Sequence, residues 1–430
     1  MSLLTSRRFG PLFATQFLGA FNDNLFKNAL VLLVLYQGFG AVASPGLLVN
    51  LAAGLFILPF LLLSASAGEW ADTDDKSRIA RLSKWLEMLV VLLGAGGLLA
   101  GSLGLSLLAL TLLGAQSAVF GPVKYSVLPQ QLAADELLAG NAWIEAATFL
   151  AILLGTLVAG WLVAGADAAW RVSGLTLLVA LAGLAAVHGM PAAPPFAHAG
   201  GAATSPLARN PFRATAELIG AARREPVWPV MLGIAWFWAF GATVLTQLPV
   251  MVRDHLRGDA TVVSLLLAVF SLGVGLGSAL AAAALRRQPG LPVVPAAAVD
   301  MALLGLLLVW LLPTADTVAP VQGLAGWLEV PGSTAIMLTL LGLAAAGGAY
   351  CVPLYTALQR LPAPERRGRA VAANNVVNAA AMVAAAGAGA AVFAVGYGVI
   401  SVITVFTMGQ LPMAWWLWRS RVGASAPSQV

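Results

Sequence analysis

The sequence predicts an all-α membrane protein with twelve transmembrane helices arranged as two six-helix halves. Three observations carry that expectation. Of 430 residues, 60% are hydrophobic and only 10% charged, and the mean hydropathy is +0.88, whereas a soluble globular chain carries about 25% charged residues. The apolar residues fall into runs of the length that crosses a bilayer, about 20 residues each. The basic residues are concentrated in alternate connections, which is how a membrane chain fixes its orientation.

In order, the expected spans are 11–36, 46–67, 79–103, 105–127, 138–164 and 168–189, then 226–251, 261–285, 292–312, 334–358, 369–393 and 395–418. The first span is flanked by Arg7 and Arg8, is long, and lacks a small-residue cleavage site, so it reads as a retained helix and not a removable leader. There are 23 lysines and arginines. With the N-terminus cytoplasmic, Arg171, Arg253 and Arg257 face outward, Lys27 and Lys124 lie in or near the membrane, and the remaining eighteen face the cytoplasm. That asymmetry places both termini inside. It also accounts for the net charge of +5 as a topology signal, so no nucleic-acid partner is expected. The single cysteine, Cys351, excludes an internal disulfide and any C-x-x-C metal or redox motif.

The partition is an N-terminal half over 1–190, a cytoplasmic linker over 191–225, a C-terminal half over 226–420 and a tail over 421–430. Pro191, Pro194, Pro195, Gly200, Gly201 and Pro206 make the linker loop-like. Its last part, 211–225 with Arg213, Arg223 and Arg224, fits a short amphipathic surface helix. The halves read as repeats. Pro122-Val123-Lys124-Tyr125 followed by Asn141-x-x-x-Glu145 matches Pro353-Leu354-Tyr355 followed by Asn374-x-x-x-Asn378, with a proline expected to end one helix and polar residues four apart opening the next. Parallel six-helix repeats build the major facilitator fold, with a substrate cavity between the halves. Between spans two and three, Gly68-Glu69-Trp70-Ala71-Asp72-Thr73-Asp74-Asp75-Lys76-Ser77-Arg78 partly matches the loop motif of that fold. There Gly68 is expected to allow close helix approach, and Asp72, with Lys76 and Arg78, to lock one conformational state. The second-half counterpart, Gly273, Gly275 and Gly277 before Arg286 and Arg287, lacks the acid.

Ionisable residues within spans point to function because the hydrocarbon core penalises them. Asp23 and Lys27 lie four apart on the first span, with Asn22, Asn24 and Asn28 beside them. They form either a self-neutralised pair or a site in a wet cavity for a zwitterionic or anionic headgroup or a coupling cation. Glu145, with Asn141 and Thr148 on its face, would pair with Lys124, bind a cation or take up a proton; Lys124 at the water interface is the alternative. Glu87, close behind Lys84, is assigned to the cytoplasmic rim. Asp300 stands alone in span nine. In span seven, Trp236, Phe237, Trp238 and Phe240 lead into Thr243, Thr246 and Gln247, an aromatic group toward mid-span that suits an acyl-chain path. Asn374, Asn375 and Asn378 open span eleven and either glue helices or contact a phosphate or glycerol hydroxyl.

The run from Phe21 to Leu30, the run Phe120-Gly121-Pro122-Val123-Lys124-Tyr125-Ser126-Val127-Leu128-Pro129, and Ala142-Trp143-Ile144-Glu145-Ala146-Ala147-Thr148 followed by Ala151 to Gly155 resemble the bacterial lysophospholipid transporter (LplT) family over nearly the whole chain. The segment Phe237 to Gln247 is similar to the transporter domain that some bacteria fuse to a glycerophospholipid acyltransferase and acyl-carrier synthetase. The resemblance implies a transporter of the inner membrane that moves lysophospholipids such as lysophosphatidylethanolamine from the outer to the cytoplasmic leaflet for reacylation. It implies a substrate site including Asp23, Lys27, Lys124, Glu145 and the span-eleven asparagines Asn374 and Asn378, to which the reading of the residues adds Asn24, Tyr125, Asn141, Trp238 and Gln247. Its partners would be lysophospholipid, membrane lipids and a separate cytoplasmic acyltransferase, with the transporter itself a monomer. Two departures stand out. Some members carry an arginine where this chain has Leu245, and an acid where it has Asn378, which leaves Lys27 and Lys124 as the phosphate-binding cations.

No cofactor or resident metal is expected; coupling to sodium or protons at Asp23 or Glu145 remains open. Three other classes compete with this reading. Enzyme chemistry lacks its residues: His188, His198 and His255 include no His-x-x-x-x-Asp, and no nucleophile elbow, zinc-type histidine pair or phosphate loop is present. A drug or metabolite exporter of the same fold is the main rival, and a lipid-binding scaffold that moves nothing is the third.

Overall fold

The computed structural model describes residues 3–40, 44–133, 136–165, 167–194, 211–287, 292–312, 320–361 and 367–419. After a turn of 3-10 helix at Leu3–Thr5, the first part of the chain forms α1 (Gly10–Gln37), α2 (Pro45–Thr73), α3 (Lys76–Leu99), α4 (Leu103–Gln131), α5 (Leu137–Val163) and α6 (Ala168–His188). Then come α7 (Pro211–Ala222), α8 (Trp228–Asp254), α9 (Ala260–Arg287), α10 (Val293–Leu311), α11 (Leu324–Glu329), α12 (Ser333–Arg360), α13 (Arg367–Ala394), α14 (Val399–Met408) and α15 (Gln410–Arg419). Among the described residues, eleven spans are long and apolar enough to cross a membrane, and α5 adds the apolar stretch Leu150–Val163. The chain is therefore a multi-pass membrane protein.

Local chemistry starts and stops these helices. Pro11 sits in the first turn of α1, and Gly38 ends it in the left-handed conformation at φ 65°. The Asp75 carboxylate accepts from Ser77 N at 2.8 Å and Arg78 N at 3.1 Å, capping α3. Asp259 caps α9 in the same way through Thr261 N at 2.8 Å and Val262 N at 3.3 Å.

Several expected boundaries are corrected. Neither Pro122 nor Pro353 ends a helix: α4 continues to Gln131 and α12 to Arg360. Membrane helices tolerate proline because the surrounding bundle can re-satisfy the carbonyl one turn back that loses its N–H partner. The last span is two helices, α14 and α15, broken at Gly409, which lies against the indole of Trp236. The short helix α11 was not anticipated. The amphipathic helix of the linker is present as α7, with Arg213 and Glu217 bonded on its exposed side at 2.9 Å. The linker residues 195–210 and the tail 421–430 lie outside the described residues.

The chain forms two compact units, one of Met1–Val42 with Leu55–Leu218 and one of Ala43–Gly54 with Ile219–Val430. Within the first, α1 packs on α4, α5 and α6, and α3 packs on α4 and α6. Within the second, α8 packs on α12, α13 and α14, and α10 on α12, α14 and α15. These are the same pairings in the same chain order, so the repeat in the two short motifs extends to the packing around α1 and α3 and around α8 and α10. Helices come close where glycine removes the side chain. A Cβ at Gly114 of α4 would lie 2.0 Å from the Phe56 carbonyl oxygen of α2, and one at Gly277 of α9 would lie 1.8 Å from Ala345 O of α12.

In the first unit the segment after α6 is tied across the loop ends. Lys76 N donates to Ala193 O at 3.0 Å, Arg81 to Met190 O at 3.1 Å, Gln131 to Pro191 O at 3.2 Å, and Ser77 Oγ to Pro191 O. Arg8 makes a two-pronged ion pair with Glu136, both contacts at 3.1 Å. The Ala133 N–H and the Arg8 guanidinium hold the Glu136 carboxyl below the usual carboxylate range.

Two outcomes follow from this packing. Gly277→Ala is expected to destabilise the purified protein by at least about 1–3 kcal/mol through overpacking, read as a lower thermal midpoint. Gly275→Ala, with nothing within 4 Å of its Cβ position, is expected to leave that midpoint unchanged. Because the Glu136 carboxyl is held low, its contribution is present above the ordinary carboxylate range and is lost as pH falls through its folded value. Glu136→Gln should therefore flatten the acid limb of a thermal-stability profile while leaving neutral pH nearly unaffected.

Candidate functional site

The first helix is polar in its middle, and the structure divides that polarity between two sides. Asn22 and Asp23 are buried, 0% and 5% exposed. Asn24, Lys27 and Asn28 are only partly buried and recur at the 3–4 residue spacing that makes one stripe on a helix. On the open stripe, Lys27 Nζ donates to Asn24 Oδ1 at 3.1 Å and lies 5.5 Å from the Phe56 ring centre. Asn28 donates to Thr156 Oγ1 of α5 at 2.7 Å.

On the buried side a ring of side chains joins α1, α3 and α4. Asn22 Nδ2 donates to Glu87 Oε1 at 3.2 Å, and Gln116 Nε2 reaches Ser83 Oγ at 3.0 Å and Glu87 Oε2 at 3.5 Å. Ser117 Oγ bridges Gln116 Oε1, at 3.1 Å, and the Asp23 carboxylate. Lys84 is ion-paired with Glu87, each side chain 1% exposed. Glycines make room for it: a Cβ at Gly19 of α1 would sit 2.6 Å from Lys84 Nζ, and one at Gly183 of α6 would sit 3.5 Å away.

Of the two readings of Asp23 and Lys27, the direct pair is not seen among the described residues: Asp23 turns toward Ser117 of α4, and Lys27 toward Asn24 and Phe56. Asp23 Oδ1 and Asn22 Oδ1 have no hydrogen-bond partner among the described residues, an expensive condition for buried polar atoms. The assignment of Glu87 to the rim is also corrected, since Lys84 and Glu87 lie within α3 and are sealed there. Sequence reasoning missed this ring, although both residues fall inside span 79–103 and Gln116 and Ser117 inside span 105–127. The rule that flagged Asp23, a charge within a span, flags Lys84 and Glu87 equally.

The other candidates are placed as follows. Lys124 is half-buried on α4 with Nζ 4.9 Å from the centre of the Tyr125 ring. Asn141 and Glu145 lie on α5, with their side chains outside the described residues; their neighbour Thr148 accepts from Gln16 of α1 at 2.8 Å. In the second unit, Trp238 Nε1 donates to Tyr355 Oη at 2.8 Å. Gln247, fully buried, donates to Asn50 Oδ1 of α2 at 2.9 Å, and a Cβ at Gly389 of α13 would lie 2.3 Å from that same oxygen. Asn374 and Asn378 are buried on α13, which packs on α8; both Asn374 side-chain polar atoms and Asn378 Oδ1 lack a partner among the described residues. Asn375 and Asp300 are exposed.

Of the loop residues, Lys76 is buried at the start of α3 and Arg78 is exposed, 3.8 Å from Asp74. The Asp72 side chain lies outside the described residues. The close approach expected at Gly68 is not found among the described residues, where nothing lies within 4 Å of its Cβ position. No group of three or more potential metal ligands occurs among the described residues.

The Major Facilitator Superfamily profile matches residues 12–386, so the chain belongs to that superfamily of membrane transporters. At the level of individual proteins, it is similar to the lysophospholipid transporter LplT of Cronobacter sakazakii, 27% identical over 87% of this chain and 84% of the relative. It is 27% identical to the lysophospholipid transporter LplT of Shigella flexneri over 97% of both chains. Among solved structures it resembles a bacterial homolog of the human lysosomal transporter Spinster in an inward-facing, unoccupied conformation, with a TM-score of 0.66 and 15% identity over 99% of this chain and 100% of that one. The named relatives are transporters, in accord with the expectation that the chain is not an enzyme.

Removing one partner of a buried ion pair costs about 3–5 kcal/mol, whereas replacing both with apolar groups is often neutral. Lys84→Met is expected to lower the thermal midpoint sharply in detergent, and Lys84→Met with Glu87→Leu to recover much of the loss. A single variant as stable as the wild type would mean that the pair is not sealed from water.

Proposed function

We propose that the chain is a lysophospholipid transporter of the bacterial inner membrane. It carries lysophospholipids such as lysophosphatidylethanolamine from the outer to the cytoplasmic leaflet for reacylation, by alternating access, with both termini cytoplasmic. The observation that carries this reading is on α1: a carboxylate and an ammonium one turn apart hydrogen-bond to different partners, Asp23 to Ser117 and Lys27 to Asn24, and one buried Asp23 oxygen lacks a partner among the described residues. A zwitterionic headgroup offers the complementary phosphate and amine. The likeness to lysophospholipid transporters along most of both chains supports the same substrate class.

In this reading Lys27 and Lys124 meet the phosphate, and Asp23 or Glu145 meets the amine. Asn24, Tyr125, Asn141, Trp238, Gln247, Asn374 and Asn378 supply further polar contacts, and the acyl chain stays among apolar side chains. Gly68, Asp72, Lys76 and Arg78 form the conformational lock. Asp23 or Glu145 is also the place for a coupling sodium ion or proton. The transporter acts as a monomer and hands its product to a separate acyltransferase on the cytoplasmic side.

The test is uptake of labelled lysophosphatidylethanolamine by spheroplasts of a strain lacking its own transporter. Wild type should restore uptake. Asp23→Asn and Lys124→Ala, inserted at normal levels, should each reduce it by about tenfold or more, the worth of a hydrogen bond to a charged group. Near-normal uptake by both variants would contradict the proposed site. No uptake by well-inserted wild type would contradict the substrate and favour the exporter reading, which drug efflux then tests.

A further inference from the structure

A second feature of the molecule, wholly within the C-terminal unit, is independent of the transport reading. A cavity of about 440 Å³ is walled by α8, α13 and α15, with the end of α7 at its mouth. Its lining includes Leu232 and Trp236 of α8, Ala380 and Ala381 of α13, and Met413 and Trp416 of α15. The Trp236 indole N–H already donates to Gln410 Oε1 at 3.1 Å, so that wall offers no unmet donor. The lining is apolar apart from one charge, Arg223, whose guanidinium lies 5.7 Å from the ring centre of Trp228.

Position and charge decide what such a groove holds. From Trp228, the first residue of α8, the lining runs to Trp236, eight residues or about 12 Å along the helix axis. That is close to the hydrocarbon depth of one leaflet, about 15 Å. The exposed Leu411, Trp415 and Trp418 of α15 make its surroundings an apolar and aromatic surface of the kind that meets lipid. At the shallow end Arg223 and Arg224 are exposed, and Arg419 at the end of α15 lies over Trp415 at 4.6 Å. Glu225 is the one acid in that stretch of chain and is half-buried. Basic pockets between membrane helices at the cytoplasmic face select anionic headgroups.

We propose that this groove binds an anionic phospholipid of the surrounding bilayer, with one acyl chain along α8 between α13 and α15 and the phosphate at Arg223. It is a site for a resident lipid that holds the α7–α8 junction at the membrane surface.

The experiment is native mass spectrometry of the full-length protein titrated with phosphatidylglycerol or phosphatidylcholine. The variants are Arg223→Gln, which changes an exposed side chain, and Ala381→Trp, which fills the groove. Wild type is expected to retain phosphatidylglycerol about fivefold better than phosphatidylcholine, the factor one arginine contributes near an anionic headgroup. Each variant should lose that preference while keeping the wild-type helical circular dichroism. Equal retention of the two lipids by wild type, or a preference that survives either substitution, overturns the proposal. Stronger retention after removal of residues 420–430 would also overturn it, because the tail would then be the natural occupant.

Discussion

A charge held inside a dry helix bundle has to find its partner there, and the first unit is arranged around that requirement. Lys84 and Glu87 neutralise one another within α3, and the carboxylate is then shared by Asn22 of α1 and Gln116 of α4. Glycine at positions 19 and 183 leaves the volume that the ammonium fills. Three helices are thus tied by groups that would each be costly if left alone. Ser117 connects this neutralised cluster to Asp23, fixing the orientation of a carboxylate that still has one oxygen without a partner. A buried hydrogen-bonded network behind a less satisfied group is how a binding side chain is held in place.

The two units solve the packing problem alike and the polarity problem differently. The helix pairings around α1 and α3 recur around α8 and α10, and both units use glycine to bring backbones together, Gly114 in one and Gly277 in the other. The first unit buries ions together with amides, whereas the buried side-chain groups named in the second are amides: Gln247 with Asn50, and Asn374 and Asn378 on α13. Amides avoid the desolvation cost of a full charge.

The membrane class, the span positions to within a few residues and the two-fold repeat were legible in the sequence because each depends on composition and period alone. The polar middle of α1 was legible too, since Asp23 and Lys27 stand out against an apolar run. What was not legible was direction. Residues four apart share a helix face only approximately, and whether Asp23 met Lys27 or Ser117 depended on where α4 lay. Lys84 and Glu87 looked like a rim because they follow a basic loop. The continuity of α4 beyond Pro122 was hidden for a related reason: whether a membrane helix runs on through a proline depends on the surrounding packing, which the sequence does not show.

Cysteine accessibility distinguishes the less buried stripe of α1, proposed to meet substrate, from its sealed side. Asn24→Cys, made in a Cys351→Ser background, should react with a charged thiol reagent in membranes, and lysophosphatidylethanolamine should slow the reaction. Ser83→Cys, beside the buried pair, should stay unmodified. A cysteine at position 24 that does not react, or whose reaction is indifferent to lysophospholipid, would contradict the account.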